Sequence, residues 1–354
     1  MSNSLQEKVL KQFFIPLAWL GISILGAFLA GAVLILLVGV NPIEAYASLI
    51  KGAFGSKYAI SETLVKATPI LLTGLAVAFA YRAKLVNLGV EGQLYIGAAA
   101  AAWLGLFSFG QLPGFIVVLL VSLGVFLAGG LYALIPGFLK AKLNVSEIMT
   151  GLMLNFVAML YVSYLVEGPL RLPRSVIPRS PNIEEVAQLA RILGGNFRFH
   201  SYFLVGVGLA ILIFIIFYRT TLGFQLKIVG EGERLARFAG INVPVIQIVA
   251  MVVSGGIAAL AGYGEVGGVH RYLLAEISPG FGYYGLVVAF LARMNPLGII
   301  VSSLFFSVLL GGAETMQRTV GVPVFLINII QGLVLFFVVG LESYRRKLEK
   351  RKLL

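Results

Sequence analysis

Apolar runs of about 20 residues recur along the whole of this 354-residue sequence. A helix of roughly that length matches the ~30 Å hydrocarbon core of a membrane. Because 59% of the residues are hydrophobic and only 12% are charged, the composition excludes an ordinary soluble domain. The pattern predicts an all-α transmembrane bundle of about ten segments in a single domain, residues 1–354. The expected segments are 13–40, 65–81, 90–109, 115–139, 148–166, 202–218, 245–263, 281–292, 297–313 and 322–341.

Basic residues predict the orientation of this bundle. If the N-terminus is cytoplasmic, more than half of the 27 Lys and Arg residues fall on the inner side, as the positive-inside rule requires. We therefore expect cytoplasmic N- and C-termini, a large external loop over 167–200, a cytoplasmic loop over 219–244 and a basic cytoplasmic tail over 342–354. The arginines of the external loop 167–200 are an exception to this rule, but they do not reverse the expected orientation. The net charge of +12 reflects these loops, so lipid is an expected partner and nucleic acid is not.

Missing residue types exclude several chemistries. The sequence has no Cys and no Asp, so disulfides, thiol nucleophiles and a Ser-His-Asp triad are impossible. His200 and His270 belong to no His-rich motif, and we expect both at the outer membrane interface. The sequence also lacks a G-x-x-x-x-G-K-[ST] phosphate loop. No catalytic residue, metal site or bound cofactor is expected in this chain.

The segment 281–292 is too short for a simple span. As a helix it would rise only about 18 Å, and Pro279-Gly280 and Arg293 to Pro296 bound it on either side. Irregular backbone at membrane depth must be buried in protein or line a cavity. We expect a short helix shielded by its neighbours.

A charged segment, residues 230–240, stands between two apolar segments and reads GEGERLARFAG. A helix over 231–239 would pair Glu233 with Arg237 and would end at Gly240. Its apolar face would hold Leu235, Phe238 and Ala239. Such a short helix is marginal alone in water. It would therefore lie on lipid headgroups or dock into a groove of a soluble partner.

Three sequence blocks resemble one family. The first block is residues 220–243, TTLGFQLKIVGEGERLARFAGINV. It resembles the cytoplasmic coupling loop of ABC importer permeases of the ribose, nucleoside and branched-chain amino acid branch. This sequence departs from the family at Gly232 and Phe238, where the family often has Asn and Tyr. Residues 85–94, LVNLGVEGQL, resemble the N-I-G-x-E-G-Q block of its nucleoside-type members. Residues 139–149 with 153–156 resemble a third block. The ATPase-coupling candidates that this resemblance implies are Glu231, Glu233, Arg234, Leu235, Arg237, Phe238, Ala239 and Gly240.

Polar residues near or within the apolar segments are the candidates for a substrate pathway. Asn87 is placed to cap the segment that follows it, and Gly89 and Gly92 favour a broken helix start there. Deeper amides could meet the polar edges of a neutral ligand or could simply hydrogen-bond neighbouring helices. No acidic residue is expected mid-span. The pathway candidates are Asn87, Glu91, Gln93, Asn155, Asn328 and Gln331.

The resemblance implies a transport subunit rather than an enzyme, most like the permeases for nucleosides or related simple sugars. It implies a second, different permease chain, two cytoplasmic ATP-binding subunits that use the ATP, and an external solute-binding lipoprotein, in a bacterial plasma membrane. Two alternatives remain open. One is a permease for branched-chain amino acids or another sugar, and the other is an ion-coupled secondary transporter that works alone.

Overall fold

The structure, a computed structural model, describes residues 15–107, 112–192, 194, 197–323, 325–334, 336, 337 and 340. We number its thirteen α-helices within those residues in chain order. They are α1 (Ile15–Leu37), α2 (Pro42–Phe54), α3 (Lys57–Tyr81), α4 (Val90–Gly105), α5 (Gly114–Leu143), α6 (Glu147–Glu167), α7 (Tyr202–Arg219), α8 (Thr221–Glu231), α9 (Glu233–Phe238), α10 (Val243–Tyr263), α11 (Phe281–Leu291), α12 (Pro296–Val320) and α13 (Phe325–Val334).

Each of the ten expected segments corresponds to a helix, which confirms the all-α prediction for the described residues. Six of these helices are long and apolar enough to cross a membrane, or seven if the α1–α2 pair, bent by 116°, forms one span. The others, α4, α11 and α13, are shorter. Ten spans and two cytoplasmic termini therefore stay predictions. The predicted tail 342–354 lies outside the described residues.

The chain forms two compact units, and Ser61–Ser307 is the larger. At its centre α3 and α10 are the most buried of the long helices. In α5, α6 and α7, by contrast, only 28% of the most apolar 18-residue stretch is buried. Gly255 and Ala259 of α10 pack directly against Gly129 and Ala133 of α5. Small residues thus let the backbones of these two helices approach closely.

Residues 1–60 and 308–354 belong to the smaller unit. Its described part contains α1, α2, α13 and the end of α12. Asn41 caps α2 by accepting a 3.0 Å hydrogen bond from the N–H of Ile43, and Leu49 packs against Gly312. The hydroxyl of Tyr46 donates a 2.6 Å hydrogen bond to the carbonyl of Phe28. These contacts hold α2 against α1 and α12.

Two short helices test the local predictions. The predicted helix over 231–239 is wrong as a single element, because Gly232 separates α8 from the six-residue α9. Glycine has a weak helix propensity, which explains the break. By contrast, the short helix expected over 281–292 is confirmed as α11. Its N-cap, Gly280, has a φ of +98°, a conformation that favours glycine.

Candidate functional site

A chain of buried amides surrounds the start of α4. The Nδ2 of Asn87 donates hydrogen bonds to Gln93 Oε1 at 2.9 Å and to Ser254 Oγ at 2.8 Å. The Oδ1 of Asn87 accepts from the N–H of Gly89 at 3.0 Å. Ser254 in turn donates to the carbonyl of Ala76. The side chains of Asn87 and Gln93 thus tie the first turn of α4 to α3 and α10.

Asn155, from the middle of α6, binds the same helix start from another side. Its Oδ1 accepts a 2.8 Å hydrogen bond from the N–H of Gly92, and its Nδ2 donates to the carbonyl of Leu88 at 2.9 Å. One side-chain amide therefore satisfies a donor and an acceptor that a broken helix leaves exposed.

Glu91 connects α4 to a second short helix, α11. Its Oε2 accepts a 2.6 Å hydrogen bond from the N–H of Gly282. Ser278 also donates to this carboxylate, while its Oγ accepts from the N–H groups of Gly280 and Phe281 at 3.1 and 2.9 Å. The two side chains together cap the positive end of α11. Because Glu91 is only 1% exposed, this bond joins two helix N-termini inside the protein.

This arrangement brings together four of the six pathway candidates, Asn87, Glu91, Gln93 and Asn155. Two short helices that begin in the interior, with their N-termini side by side, are the usual way in which transporters present backbone groups to a substrate. The other two candidates belong to the smaller unit. Asn328 is exposed, whereas Gln331 is buried and neither of its amide atoms has a hydrogen-bond partner among the described residues.

A cavity of about 430 Å³ lies beside this cluster. Tyr95, Ser278 and Phe281 line it, so it borders the first turn of α11 and the second turn of α4. Glu62 and Arg198 form a paired ion bridge on its wall, with Arg198 Nε 3.0 Å from Glu62 Oε1. The lining also contains Lys66, Glu265, His270 and Glu276.

Sequence reasoning missed Glu62, Arg198 and Glu265 as site residues. Glu265 lies beyond the expected segment 245–263, in a π-helical turn, Gly264–His270, that continues α10 and buries this side chain. A lone ionisable residue within a long apolar, glycine-rich stretch was the signal that could have identified it. His200 is only 1% exposed, and its expected place at the outer membrane interface stays a prediction.

The charged segment 230–240 forms the end of α8, the whole of α9 and the turn after it. The predicted pair of Glu233 and Arg237 is confirmed at 3.5 Å, and Glu233 also accepts a 3.1 Å hydrogen bond from Gln247 of α10. Ala236 packs inward, whereas Phe238 is 91% exposed and Leu235 is 51% exposed. The remaining coupling candidates, Glu231, Arg234, Ala239 and Gly240, are exposed too. Two large apolar side chains thus point away from the protein.

Comparison with known proteins identifies the family. Residues 59–339 match the model of the family described as branched-chain amino acid transport system / permease component. The chain belongs to this family. It is 33% identical to a glucose ABC transporter permease protein of Haloferax volcanii over 93% of this chain and 90% of the relative. It is 32% identical to a guanosine ABC transporter permease protein of Bacillus subtilis, over 98% of both chains. A nucleoside ABC transporter permease protein of Lactococcus lactis is 32% identical over 90% of this chain and 89% of its own.

The protein is therefore an ABC transporter permease, a multi-pass component of the plasma membrane and a transport subunit rather than an enzyme. Permeases of this class work with ATP-binding and solute-binding partners. A carrier that works alone on an ion gradient usually needs a buried carboxylate. Glu91 and Glu265 are both buried, so burial does not separate the two classes of transporter. Family membership now favours the ABC permease instead.

Proposed function

We propose that this permease forms the translocation pathway for nucleosides, or related simple sugars, that an external solute-binding protein delivers. One observation carries the proposal: the chain aligns over 98% of its length with the guanosine permease of Bacillus subtilis. The second candidate substrate is a hexose, which the alignment with the glucose permease of Haloferax volcanii favours. Residues 1–354 would act as a single permease domain.

The proposed assembly contains a second, different permease chain, two cytoplasmic ATP-binding subunits and an external solute-binding lipoprotein. Those two subunits would bind and hydrolyse the ATP, and this chain would need no cofactor of its own. The external loops 167–200 and 264–280 would face the solute-binding protein. Both termini, including the basic tail 342–354, would lie in the cytoplasm with the loop 219–244.

The exposed side of α9 supports a role for the loop 219–244 in coupling. Phe238 and the exposed half of Leu235 present an apolar surface, and Ala239 and Gly240 follow it in the chain. The contact between Glu233 and Gln247 joins α9 to α10, which also supplies Ser254 to the amide cluster. A partner that moves α9 would thus act on a helix that reaches the pathway.

The four clustered polar residues would shape the pathway by holding the N-termini of α4 and α11 next to the cavity. Asn87, Gln93 and Asn155 have their amides engaged with the backbone and with one another. Their contribution would be to position the two helices, and the cavity would receive the substrate. Asn328 and Gln331 are proposed as further pathway residues in the other unit.

Reconstitution tests this function. The chain would be purified with its second permease and both ATP-binding subunits, placed in liposomes and supplied with the solute-binding protein. We expect uptake of radiolabelled guanosine that requires ATP hydrolysis. Uptake of glucose alone would assign the hexose alternative, and uptake of leucine alone would assign the amino acid alternative.

The control is the isolated chain in liposomes without ATP-binding subunits. Uptake by this chain alone, driven by a proton or sodium gradient, would show that the protein is a secondary transporter and would overturn the proposal. A vesicle set with hydrolysis-deficient ATP-binding subunits separates coupled transport from leakage.

A further inference from the structure

The cavity contains a carboxylate that lacks donors. Glu265 lines the cavity and is 4% exposed, yet it accepts no hydrogen bond from the described residues. His270 Nε2 lies 3.7 Å from Glu265 Oε2, beyond hydrogen-bond distance, and the charges of Arg198 and Glu62 also act on this carboxylate. A buried carboxylate without donors is costly. The position therefore favours an occupant of the cavity that brings donors to this group.

The other charges of the lining restrict that occupant. Glu62 is already engaged with Arg198, and Glu276 is a third carboxylate of a lining that also contains Lys66. An anionic ligand would bring a further negative charge towards Glu265, which is unfavourable in a site of low dielectric constant. A neutral ligand with several hydroxyl donors meets no such penalty.

Size and shape agree with a small cyclic compound. The volume of about 430 Å³ falls within the ~300–1,000 Å³ of typical ligand sites. The rings of Tyr95 and Phe281 supply aromatic surface, and Tyr95 is held in place by a 3.3 Å hydrogen bond from its hydroxyl to the carbonyl of Ser278.

We propose that this cavity binds a neutral ring compound with adjacent hydroxyl groups, and that Glu265 accepts hydrogen bonds from those hydroxyls. The ribose of a nucleoside and the pyranose of a hexose share this chemistry. The site would reject the phosphorylated forms of both. The inference rests on the proposed function. The permease itself would then select its substrate, in addition to the selection by the solute-binding protein.

The test measures equilibrium binding of radiolabelled guanosine and of radiolabelled glucose to the assembled transporter in nanodiscs without the solute-binding protein. We expect saturable binding of at least one of the two compounds. The compound that binds shows whether the cavity takes the hydroxyls of a ribose or those of a hexose. If guanosine binds, we expect 2′-deoxyguanosine to compete at least about tenfold more weakly and guanosine 5′-monophosphate not to compete. If glucose binds, glucose 6-phosphate should not compete.

Substitutions of Glu265 then test whether its carboxylate binds the ligand. Glu265→Gln keeps the side-chain volume and should weaken binding by about tenfold, and Glu265→Ala should weaken it further. Glu44→Gln, a change at an exposed carboxylate of the other unit, is the matched control and should bind as the unsubstituted transporter does. Size-exclusion profiles and basal ATPase activity of each variant report whether the assembly is intact.

Three results would overturn the inference. The first is unchanged affinity in intact Glu265→Ala transporter. The second is the absence of saturable binding of either compound to the unsubstituted transporter. The third is equal competition by the phosphorylated forms. Uptake assays with the solute-binding protein distinguish a failure of the proposed function from a failure of the proposed binding site. Failure of the unsubstituted transporter to import any nucleoside or sugar would contradict the proposed function, whereas normal import by Glu265→Ala contradicts only the role of the cavity.

Discussion

The Oε2 of Glu91 accepts a 2.6 Å hydrogen bond from the backbone N–H of Gly282 and so joins the first turns of α4 and α11. The two residues are 191 positions apart in the sequence. The carboxylate satisfies N-terminal donors of α11 that lipid could not satisfy. It thereby fixes the position of a short helix that borders the cavity.

Replacing Glu91 should show how much this cap contributes. Glu91→Ala leaves the Gly282 N–H without its acceptor in the protein interior, and a loss of about 1–3 kcal/mol is expected. Glu91→Gln retains an oxygen acceptor and should lose less. Thermal unfolding of the purified assembly checks this order, and Glu44→Ala is the control at an exposed carboxylate. Equal midpoints for the Ala and Gln variants would contradict the capping role.

Close packing in the larger unit gives a second prediction. A methyl group on Gly97 would fall on the carbonyl of Ala259 in the neighbouring helix, whereas Gly208 of α7 has open space around it. We expect Gly97→Ala to destabilise the protein by about 1–3 kcal/mol or more through overpacking. Gly208→Ala, the matched control, should be neutral or slightly stabilising because alanine favours the helix. Unfolding midpoints of the two variants measure the difference, and similar midpoints would contradict the predicted overlap between α4 and α10.

Much of the fold could be predicted from the sequence because long apolar segments can bury their backbone polar groups only as helices. The boundaries of α11 follow in the same way from Pro279-Gly280 and Pro296. Gly232 was harder to interpret, because a helix pattern continues on both sides of it. The break there depends on a local choice between two short helices and one longer helix, which residue spacing alone does not decide.

The candidate site was predictable only in part. Asn87, Glu91 and Asn155 were identified because polar groups are rare in apolar segments, but their partners were not. Asn87 reaches Ser254 and Glu91 reaches Gly282, and no local pattern specifies contacts between such distant residues. Glu265 was missed for a related reason. Its burial depends on how the π-helical turn after α10 packs against the rest of the larger unit.

The exposed apolar side chains of α9 give a third prediction. Phe238→Asp places a charge on the proposed docking surface, and we expect loss of transport and of transport-stimulated ATPase activity. Since Phe238 is 91% exposed, the variant should still insert into the membrane in normal amounts. Phe238→Tyr keeps an aromatic ring and is the matched control. If transport and stimulated ATPase activity survive the Asp substitution, α9 is not the docking element.

His200 gives the last prediction, which concerns pH. Its ring packs against Gly268, and neither ring nitrogen has a hydrogen-bond partner among the described residues. Burial, and secondly the charge of Arg191, lower the pKa of His200 from 6.5 to about 4. Between these two pH values the unfolded chain binds a proton that the folded chain excludes. Folding stability should therefore fall as the pH drops below 6.5, by up to about 3 kcal/mol near pH 4.

Replacing the imidazole separates this effect from other acid-sensitive groups. His200→Phe keeps a flat ring in the same space and cannot be protonated. Unfolding midpoints between pH 7.5 and pH 5 should decrease less for this variant than for the unsubstituted protein. Hydrogen exchange over residues 197–204 reports whether the acid-induced loosening begins around His200. An identical pH dependence in both proteins would show that the pKa of His200 does not shift on folding and would contradict this prediction.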